Sequence, residues 1–463
     1  MAPASISDAL NQLATRFAGQ LLQPLDIGYD EARRVHNGLI DKRPFLIARC
    51  RNTADVVDAL NLAREHGLEV AVRGGGHNVA GRATIDGGLM IDLSPMKGVH
   101  VDPIARTART QGGVTWAEYN RETQLHGLAS TGGVISTTGV SGLTLGGGLG
   151  WLLGKHGLAI DNLRSAQLVL ADGRVVTTCR DEQPDLFWAV RGGGGNFGVA
   201  TSLEFNVHAV GPMVTGGLAL HPFARARDVL RLFRDVTETS PDELTLVAGL
   251  IHAPDGSNTK LAGIIPCHCG TLADGEAAVK PIKTFGPPVM DVVGPMPYSA
   301  ANQMIDAGYP KGALNYWKSS FLSALSDEAI DTMIDCYARV PSPMAGIMLE
   351  HAHGAMTRIG VGDTAFPHRA VGYNMLLLGQ WANPADTERN IAWTRESYAA
   401  MRPFFGAGRY VNYLDDDEAG DPAAEAYGPN YPRLRQIKAK FDPANFFHMN
   451  QNIRPSMRAA LDT

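Results

Sequence analysis

The chain has 463 residues, a net charge of −6 at pH 7 and an isoelectric point of about 6.2. This slightly acidic balance lacks the basic footprint of a nucleic-acid-binding protein. No run of about 18 apolar residues predicts a membrane-spanning helix, and the length suits two or three domains.

The first residues, MAPASISDALNQLATRFAGQ, predict an amphipathic helix and not a signal peptide, because they lack a basic start and a long apolar run. An odd number of scattered cysteines argues against a disulfide framework and suits a reducing compartment. We therefore predict a cytoplasmic protein. The CHC triplet at 267–269 lacks the spacing of a zinc site, so no metal is expected. The five cysteines are Cys50, Cys179, Cys267, Cys269 and Cys336.

A helix, a strand and a glycine loop are predicted in succession over residues 52–81. Asn52 or Thr53 begins the helix, Gly67 ends it, and LEVAV forms the strand. The segment VRGGGHNVAG follows directly. Three consecutive glycines are costly to order, so they suit a backbone that something must approach closely.

Short alternating segments follow, and their pattern predicts an antiparallel meander over GGLMIDLS and GVHVDPIARTARTQGG. WAEYNRETQLHG predicts a helix, and SAQLVLADGRVVTT predicts a hairpin that turns at Asp172 and Gly173. Two more glycine runs, at 146–148 and 192–195, lie in the same part of the chain.

The glycine runs fail the common nucleotide motifs. GWLLGKHG lacks the spacing and the hydroxyl residue of a phosphate loop. A G-x-G-x-x-G match at Gly193, Gly195 and Gly198 lies between a predicted helix and a predicted strand, the reverse of the dinucleotide order. Two interpretations are left: loops that converge on one long ligand and bind its anionic part through backbone N–H groups, or tight turns and close packing.

Beyond residue 207 the glycine runs stop, and helical and strand-like segments alternate up to about residue 410. Helices packed on one antiparallel sheet would bury both layers. This pattern predicts an α+β fold with a first domain over 1–207 and a second over 208–410. The tail, YPRLRQIKAKFDPANFFHMNQNI, predicts a helix that ends near Pro443 and then an extended segment.

Several motifs in order carry a resemblance that covers nearly the whole chain. They are RPFLIARC, EVAVRGGGHNVAG, GLTLGGGLGWLLGKHGLAIDNL, DLFWAVRGGGGNFGVATSLEF, FPHR, RYVNYLDDD and the tail. The chain resembles flavin-linked oxidases similar to berberine bridge enzyme and vanillyl alcohol oxidase, closest to the bacterial 6-hydroxy-D-nicotine oxidase-like branch. The resemblance implies an FAD-binding domain of two α/β subdomains over 1–207, a substrate domain over 208–410, and a segment 411–463 that returns to the FAD-binding domain.

The resemblance also implies how FAD is held. In that family the histidine after the glycines bonds covalently to the 8α-methyl group of the flavin, which points to His77; a histidine that only hydrogen-bonds the ribityl chain is the alternative. Relatives with a second link use a cysteine where this chain has Ile135, so a single link is expected. The expected FAD-binding residues are Val72, Arg73, Gly74, Gly75, Gly76, His77, Asn78, Gly81, Thr137, Thr138, Gly139, Val140, Gly142, Leu145, Gly147, Gly148, Gly198, Val199, Asn412, Asn450 and Asn452.

Two residues are candidates for the base that takes the substrate's O–H or N–H proton. The resemblance favours Tyr413 first, with a pKa lowered by a nearby cation such as Lys318, and Glu350 second. On the strand GIMLEHAHG, Glu350 shares one face with Met348 and Ala352. The expected substrate-binding residues are Tyr316, Lys318, Met348 and Ala352.

The expected reaction is that of an FAD-dependent oxidase. Hydride passes from an alcohol or amine carbon to flavin N5, and O₂ is reduced to H₂O₂; the small Val140 fits oxygen access. Alternatives are a dehydrogenase or an oxidative cyclase of a natural product with another electron acceptor, and a non-catalytic flavin-binding protein. The expected partners are a small-molecule substrate and O₂, with no nucleic acid and no membrane. The sequence does not identify the substrate or the oligomeric state; a homodimer is one of the alternatives.

Overall fold

The structure is a computed structural model that describes residues 6–417 and 420–456. Its first half contains eleven strands among the described residues: β1 Gln20–Leu22, β2 Leu46–Arg49, β3 Val70–Arg73, β4 Leu89–Asp92, β5 Val99–Asp102, β6 Thr107–Gln111, β7 Leu128–Ala129, β8 Leu163–Val169, β9 Val175–Cys179, β10 Val199–Asn206 and β11 His208–Ala209. The helices of this half are α1 Ile6–Ala14, α2 Tyr29–Ala32, α3 Thr53–His66, α4 Trp116–Gln124, α5 Val140–Leu145, α6 Leu153–His156 and α7 Pro184–Val190.

The second half continues with longer strands and helices. Its strands are β12 Met213–Gly216, β13 Ala219–Pro222, β14 Leu244–His252, β15 Lys260–His268, β16 Met290–Asp291, β17 Gly294–Pro297, β18 Leu314–Leu322, β19 Gly346–Ala352 and β20 Gly372–Trp381. Its helices are α8 Ala226–Thr237, α9 Leu272–Lys283, α10 Tyr298–Ala301, α11 Asp327–Ala338, α12 Thr387–Met401, α13 Pro422–Tyr427 and α14 Tyr431–Phe441.

The first sheet has the order β1-β2-β4-β3, with β4 parallel to both β2 and β3. Asn52 caps α3 by accepting from the Asp55 N–H, and Gly67 ends it with a φ of +64°. The predicted antiparallel meander was wrong at β4, which is buried at all four positions and lies inside this parallel sheet. Because β3 ends at Arg73, the glycine loop begins at the carboxyl edge of the sheet.

The second sheet is antiparallel, with the order β5-β6-β10-β8-β9. It contains the predicted β8–β9 hairpin, whose turn is held by Asp172 Oδ1 accepting from the Arg174 N–H at 3.0 Å. Helix α7 precedes the last glycine run and β10 follows it, so the predicted reversal of the dinucleotide order is confirmed. Gly173 has a φ of +85°, which glycine adopts without strain.

The third sheet has nine strands, with β16-β13-β15-β14-β19-β20-β18 as its main path and antiparallel pairing along it. Helices α8, α11 and α12 pack on one face, where Leu349 of β19 joins their buried side chains. Residues alternate along a strand, so Met348 and Glu350 point to the other face. The prediction of helices on one antiparallel sheet is confirmed, and none of the helices in the described ranges is long and apolar enough to cross a membrane.

The carboxyl-terminal helix α14 ends at Phe441, two residues before Pro443, as the restriction on residues before proline predicts. Lys438 on this helix is buried and donates to Asp442 Oδ2 at 2.6 Å and to the carbonyl of Asn196 at 2.6 Å. These bonds fasten the tail to the last glycine run. The boundaries at 207 and 410 stay a prediction.

Candidate active site

A long cleft lies between the four-, five- and nine-stranded sheets and contains about 1730 Å³ of space free of protein atoms, its open mouth included. Its wall includes the glycine loop after β3 and strands of the nine-stranded sheet. The predicted residues that line this cleft are Val72, Gly74, Gly75, Gly76, His77, Asn78, Thr138, Gly139, Gly142, Leu145, Gly198, Met348, Glu350, Asn412, Tyr413 and Asn450.

Close packing explains some of the glycines. A Cβ atom on Gly75 would lie 2.3 Å from the nitrogen of Gly139, and a Cβ on Gly139 would lie 2.3 Å from the nitrogen of Gly75. Two loops from separate segments therefore touch backbone to backbone. Gly142 differs, because a Cβ there would meet no atom within 4 Å and would stand in open space. Close packing therefore explains Gly75 and Gly139, whereas Gly142 stays available for contact with a ligand.

Residues 75–78 present backbone N–H groups that no hydrogen bond between described residues uses. A row of unused N–H groups in an irregular loop is an anion-binding concavity. Gln451, on the tail, lines the same cleft, and its buried Nε2 makes no hydrogen bond with any described residue. Val72, Leu93 and Ala200 add apolar surface to the lining. These residues fit a dinucleotide cofactor such as FAD, which has a pyrophosphate and flat rings.

His77 stands at the end of the glycine loop with its imidazole stacked on that of His36, the ring centroids 3.8 Å apart. Its Nε2 is 2.8 Å from Thr137 Oγ1, whereas its Nδ1 has no hydrogen-bond partner among the described residues. Burial, with a smaller contribution from His36, lowers the pKa of His77 to about 3. The imidazole is therefore neutral near pH 7 and keeps a lone pair on one nitrogen.

Glu350, on β19, also lines the cleft and is only 7% exposed. Its carboxylate accepts from Asn374 Nδ2 at 2.6 Å and from the Tyr413 hydroxyl at 3.1 Å. Burial raises the pKa of Glu350 to about 7, and the two donated hydrogen bonds only partly oppose this. A carboxyl group that titrates near neutral pH is suited to accept and release a proton.

The pKa of Tyr413 is shifted in the opposite sense to the prediction. Burial first, and then the Glu350 carboxylate, raise the pKa of the phenol above its usual value. The expected cation does not reach it: Lys318 Nζ donates to Asp417 Oδ1 at 2.6 Å. Tyr413 is thus a hydrogen-bond donor to Glu350, and of the two candidates Glu350 is the better base.

The structure also corrects the predicted face of β18. The Tyr316 and Lys318 side chains do not belong to the cleft wall that the described residues form; the Tyr316 hydroxyl donates to Asp417 at 2.5 Å. Trp317, between them, lines the cleft instead and packs edge-on against Tyr413 at 6.0 Å. The alternation of the strand was predicted correctly, but the sequence does not tell which face turns to the cleft.

Other predicted residues support the cleft from behind. Arg73 forms a buried ion pair with Asp92, with Nη2 and Oδ2 2.6 Å apart. Val140 is fully buried in the core, so its predicted place beside the flavin was wrong. Ala352 is 2% exposed and is not part of the lining; it packs in an apolar cluster with Leu149 and Tyr413, which do line the cleft. The remaining predicted residues outside the lining of the cleft are Gly81, Thr137, Gly147, Gly148, Val199 and Asn452.

Several lining residues were missed because nothing in their local sequence distinguishes them from core residues. They come from strands and loops that meet only after folding, and most are apolar. The signal for Trp317 was present in the strand alternation, as was that for Val247 and Leu376 on neighbouring strands. The missed residues include Leu93, Ala200, Gly194, Gly195, Val247, Ile305, Tyr309, Trp317, Leu376 and Gln451.

None of the five cysteines lines the cleft, and Ile135 occupies the wall with 7% exposure. Cys267 and Cys269 are buried in the apolar core on β15 and just after it. No group of three or more histidine, cysteine, aspartate or glutamate side chains that could hold a metal ion occurs within residues 6–417 and 420–456.

Comparison with known proteins assigns the family. Residues 44–179 match the family model described as "FAD binding domain", and residues 409–454 match the one described as "Berberine and berberine like". The chain belongs to the berberine bridge enzyme-like family and is an FAD-linked oxidoreductase with the vanillyl alcohol oxidase-type fold. The predicted family, the α+β fold and FAD as the cofactor are confirmed, whereas the covalent link through His77 stays a prediction.

Two relatives and one solved structure give the extent of the likeness. The chain is 32% identical over 464 residues to (R)-6-hydroxynicotine oxidase of Paenarthrobacter nicotinovorans, covering 96% of this chain and 99% of that protein. It is 28% identical over 450 residues to the xylooligosaccharide oxidase of Thermothelomyces thermophilus, covering 91% and 89%. The crystal structure of 6-hydroxy-D-nicotine oxidase from Arthrobacter nicotinovorans superposes with a TM-score of 0.86 at 29% identity, covering 95% of this chain and 98% of that one.

Proposed function

We propose that this protein is an FAD-dependent oxidase that removes hydrogen from an alcohol or amine carbon and produces H₂O₂. One observation carries the proposal: the wall of one cleft contains both the glycine loop with its unused backbone N–H groups and the Glu350 carboxyl. Relatives named as oxidases of 6-hydroxynicotine and of xylooligosaccharide support the same class of reaction.

The residues of the chain divide the work between binding and proton transfer. The loop at 74–78 would hold the pyrophosphate of FAD, and Asn450 and Gln451 would hydrogen-bond the polar parts of the cofactor. FAD, when bound, supplies a two-electron acceptor for the substrate hydride at N5 and passes those electrons to O₂. Glu350 accepts the O–H or N–H proton of the substrate at a carboxylate oxygen, and the Tyr413 hydroxyl keeps that carboxylate in position.

We further propose that His77 holds the flavin covalently. Support comes from its neutral imidazole, its Nδ1 without a partner among described residues, and the stack on His36 that fixes the ring plane. A single link is proposed because Ile135 stands where some relatives have a cysteine, and none of the five cysteines lines the cleft. A covalent link prevents loss of the cofactor on dilution.

Oxygen consumption separates an oxidase from a dehydrogenase. The flavin-loaded protein is mixed without air with a panel of benzylic and heterocyclic amines and alcohols. The loss of the flavin absorbance band at about 450 nm is then followed. Air is then admitted and the amount of H₂O₂ formed is measured. We expect bleaching, rapid return of colour, and one H₂O₂ per substrate oxidised.

Slow return of colour in air, with rapid return on addition of a quinone, would identify a dehydrogenase instead. Bleaching by none of the panel, in a protein fully loaded with FAD, would favour the non-catalytic flavin-binding alternative. Glu276→Gln, which changes an exposed carboxylate on α9, serves as the matched control for Glu350→Gln in this assay.

A further inference from the structure

A second cavity borders the cleft at the glycine loop and contains about 1030 Å³ of space free of protein atoms, its open mouth included. Among the described residues, its wall shares with the cleft only Gly74, Gly75, His77 and Tyr309. The rest of its wall comes from α2 and the segment after it, from β2 and from loops near them. His77 therefore belongs to the walls of two different spaces.

Positive charge dominates the wall of the second cavity. Four described cations line it, and they are Arg34, Arg49, Arg73 and Lys311. Glu31 is the one carboxylate among the described residues of this wall. Asp92, which is buried behind the wall, compensates part of the charge because it binds both Arg49 and Arg73. The four cations thus face two carboxylates, and the cavity keeps an excess of positive charge.

Arg34 and Lys311 have no counter-ion among the described residues. Both side chains are exposed, and neither forms an ion pair or a side-chain hydrogen bond within the part of the chain that the structure describes. Asp30 and Asp41 lie near Arg34, but both carboxylates bind Arg33. The two cations are therefore available to a ligand in the second cavity.

Two further polar groups of the wall lack a partner among described residues. His36 is 7% exposed, and its buried Nε2 makes no hydrogen bond there. A neutral imidazole can carry its proton on either nitrogen, so this atom can donate. Arg49 uses Nε for Asp92 and Nη1 for Gln20, which leaves Nη2 unbonded. Because buried polar atoms are usually satisfied in folded proteins, these groups favour a ligand that accepts hydrogen bonds.

We infer that the second cavity binds a small divalent anion, either an inorganic oxyanion or a short dicarboxylate, and that Arg34 and Lys311 are its counter-ions. Hydrogen bonds between such anions and arginine or lysine are among the strongest in proteins. Two cations without a counter-ion match two negative charges. This inference rests on the proposed function and adds a regulatory site to it.

An anion in the second cavity opposes reduction of the cofactor. His77, the proposed attachment point of the flavin, forms part of the wall of this cavity. Reduction by hydride adds negative charge to the cofactor, and a negative charge held nearby makes that addition less favourable. The bound anion therefore lowers the midpoint potential of the flavin. It takes no part in bond making or breaking, so the stoichiometry of the reaction does not change.

Two pairs of probes with matched shapes test the site by binding alone. Sulfate is compared with the neutral dimethyl sulfone, and malonate with the neutral malonamide. Their dissociation constants are measured by titration calorimetry on the flavin-loaded protein at pH 8 and at constant chloride concentration. We expect at least one anion to bind about tenfold or more tightly than its neutral partner. The tighter of the two anions shows whether the ligand is an oxyanion or a dicarboxylate.

Two further measurements link anion binding to the wall and to the cofactor. Arg34→Gln combined with Lys311→Gln should weaken anion binding by about tenfold or more. Arg121→Gln on α4 combined with Lys280→Gln on α9 changes two exposed cations elsewhere and should leave it unchanged. In the unaltered protein the anion should lower the flavin midpoint potential in a redox titration, which does not depend on the folding of a variant.

Equal binding of anion and neutral partner in both pairs, anion binding that survives the change of Arg34 and Lys311, or a midpoint potential that the anion does not lower would each overturn the inference. Loss of flavin from that double variant would also overturn it, because the two cations would then serve the cofactor itself. Bleaching of the flavin by a substrate of the panel leaves the proposed function intact in all these cases. Failure of the proposed function has a different signature, which is the absence of bleaching by any substrate of the panel.

Discussion

At the scale of single residues, the proposed chemistry depends on the pair formed by Glu350 and Tyr413. The sequence identified both residues and the strand face of Glu350, and the resemblance ranked Tyr413 first as the base. The opposite ranking follows from burial and from the absence of a cation at the phenol, because Lys318 is bound to Asp417. Such three-dimensional neighbours have no local sequence signal. Trp317 was missed for a different reason, because strand alternation does not tell which face of β18 turns to the cleft.

Exchanging each member of the pair separates the base from its hydrogen-bond donor. Glu350→Gln should lower kcat/KM by about 10²–10⁴, the range typical for loss of a general base. Tyr413→Phe should lower it by about tenfold, because only one hydrogen bond is lost. Steady-state kinetics on both flavin-loaded variants measures this difference. A larger loss in Tyr413→Phe than in Glu350→Gln would restore the tyrosine as the base.

The pH profile gives a second prediction for the same residue. Burial raises the pKa of Glu350 to about 7, and the base works in its ionised form. We expect kcat/KM to rise about tenfold per pH unit below pH 7 and to level off above it. The effect of pH on stability has the opposite sign. Because the pKa of Glu350 is higher in the folded protein than in the unfolded chain, ionisation of Glu350 lowers the free energy of unfolding progressively as the pH rises from about 4.5 to 7. A kcat/KM that is flat from pH 5 to 8 would contradict the assignment.

At the scale of elements, the glycine loops show that one residue type has two uses, close packing of backbones and lining of the cleft. The sequence predicted the loops, their order along the chain and their convergence. It could not tell packing glycines from cavity glycines, because that depends on which backbone lies opposite. Gly75 meets Gly139, whereas Gly142 faces open space in the cleft.

Alanine at these two positions should have different effects. Gly75→Ala places a Cβ 2.3 Å from the Gly139 nitrogen and should cost about 1–3 kcal/mol in the free energy of unfolding. Gly142→Ala should keep that free energy or raise it by up to about 1 kcal/mol, because alanine favours helix α5. Its methyl group enters the cleft and should lower the flavin content. Urea unfolding and the ratio of flavin to protein absorbance measure both effects. Equal unfolding free energies for the two variants would contradict the packing role of Gly75.

At the scale of the whole molecule, the carboxyl-terminal segment contributes residues to the wall of the cleft. Asn450 and Gln451 line it, and the Lys438–Asp442 pair, with no exposed side-chain area, ties α14 to Asn196. We propose that residues 411–463 form part of the FAD-binding domain. The sequence predicted the layers and the helix of the tail, since these follow from periodicity. Strand β4 was misplaced, because periodicity does not tell which strands pair when they lie far apart in the chain.

Breaking the buried pair tests how strongly the tail is fixed. Lys438→Met leaves Asp442 as an uncompensated buried charge and should cost about 3–5 kcal/mol. Lys440→Met on the same helix removes an exposed contact with Asp185 and should cost less than about 1 kcal/mol. Equilibrium unfolding in urea measures the two costs. A Lys438→Met cost no larger than that of Lys440→Met would mean that the pair does not anchor the segment.

The central claim is that the loop after β3 holds FAD and that His77 carries it covalently. The most direct measurement is denaturation of the yellow protein in acid, followed by separation of protein from free flavin, for the unaltered chain, for His77→Ala and for the exposed-histidine control His100→Ala. We predict that flavin stays with the polypeptide in the unaltered chain and in His100→Ala, and is released from His77→Ala. Flavin released from the unaltered chain, or retained by His77→Ala, would contradict the account.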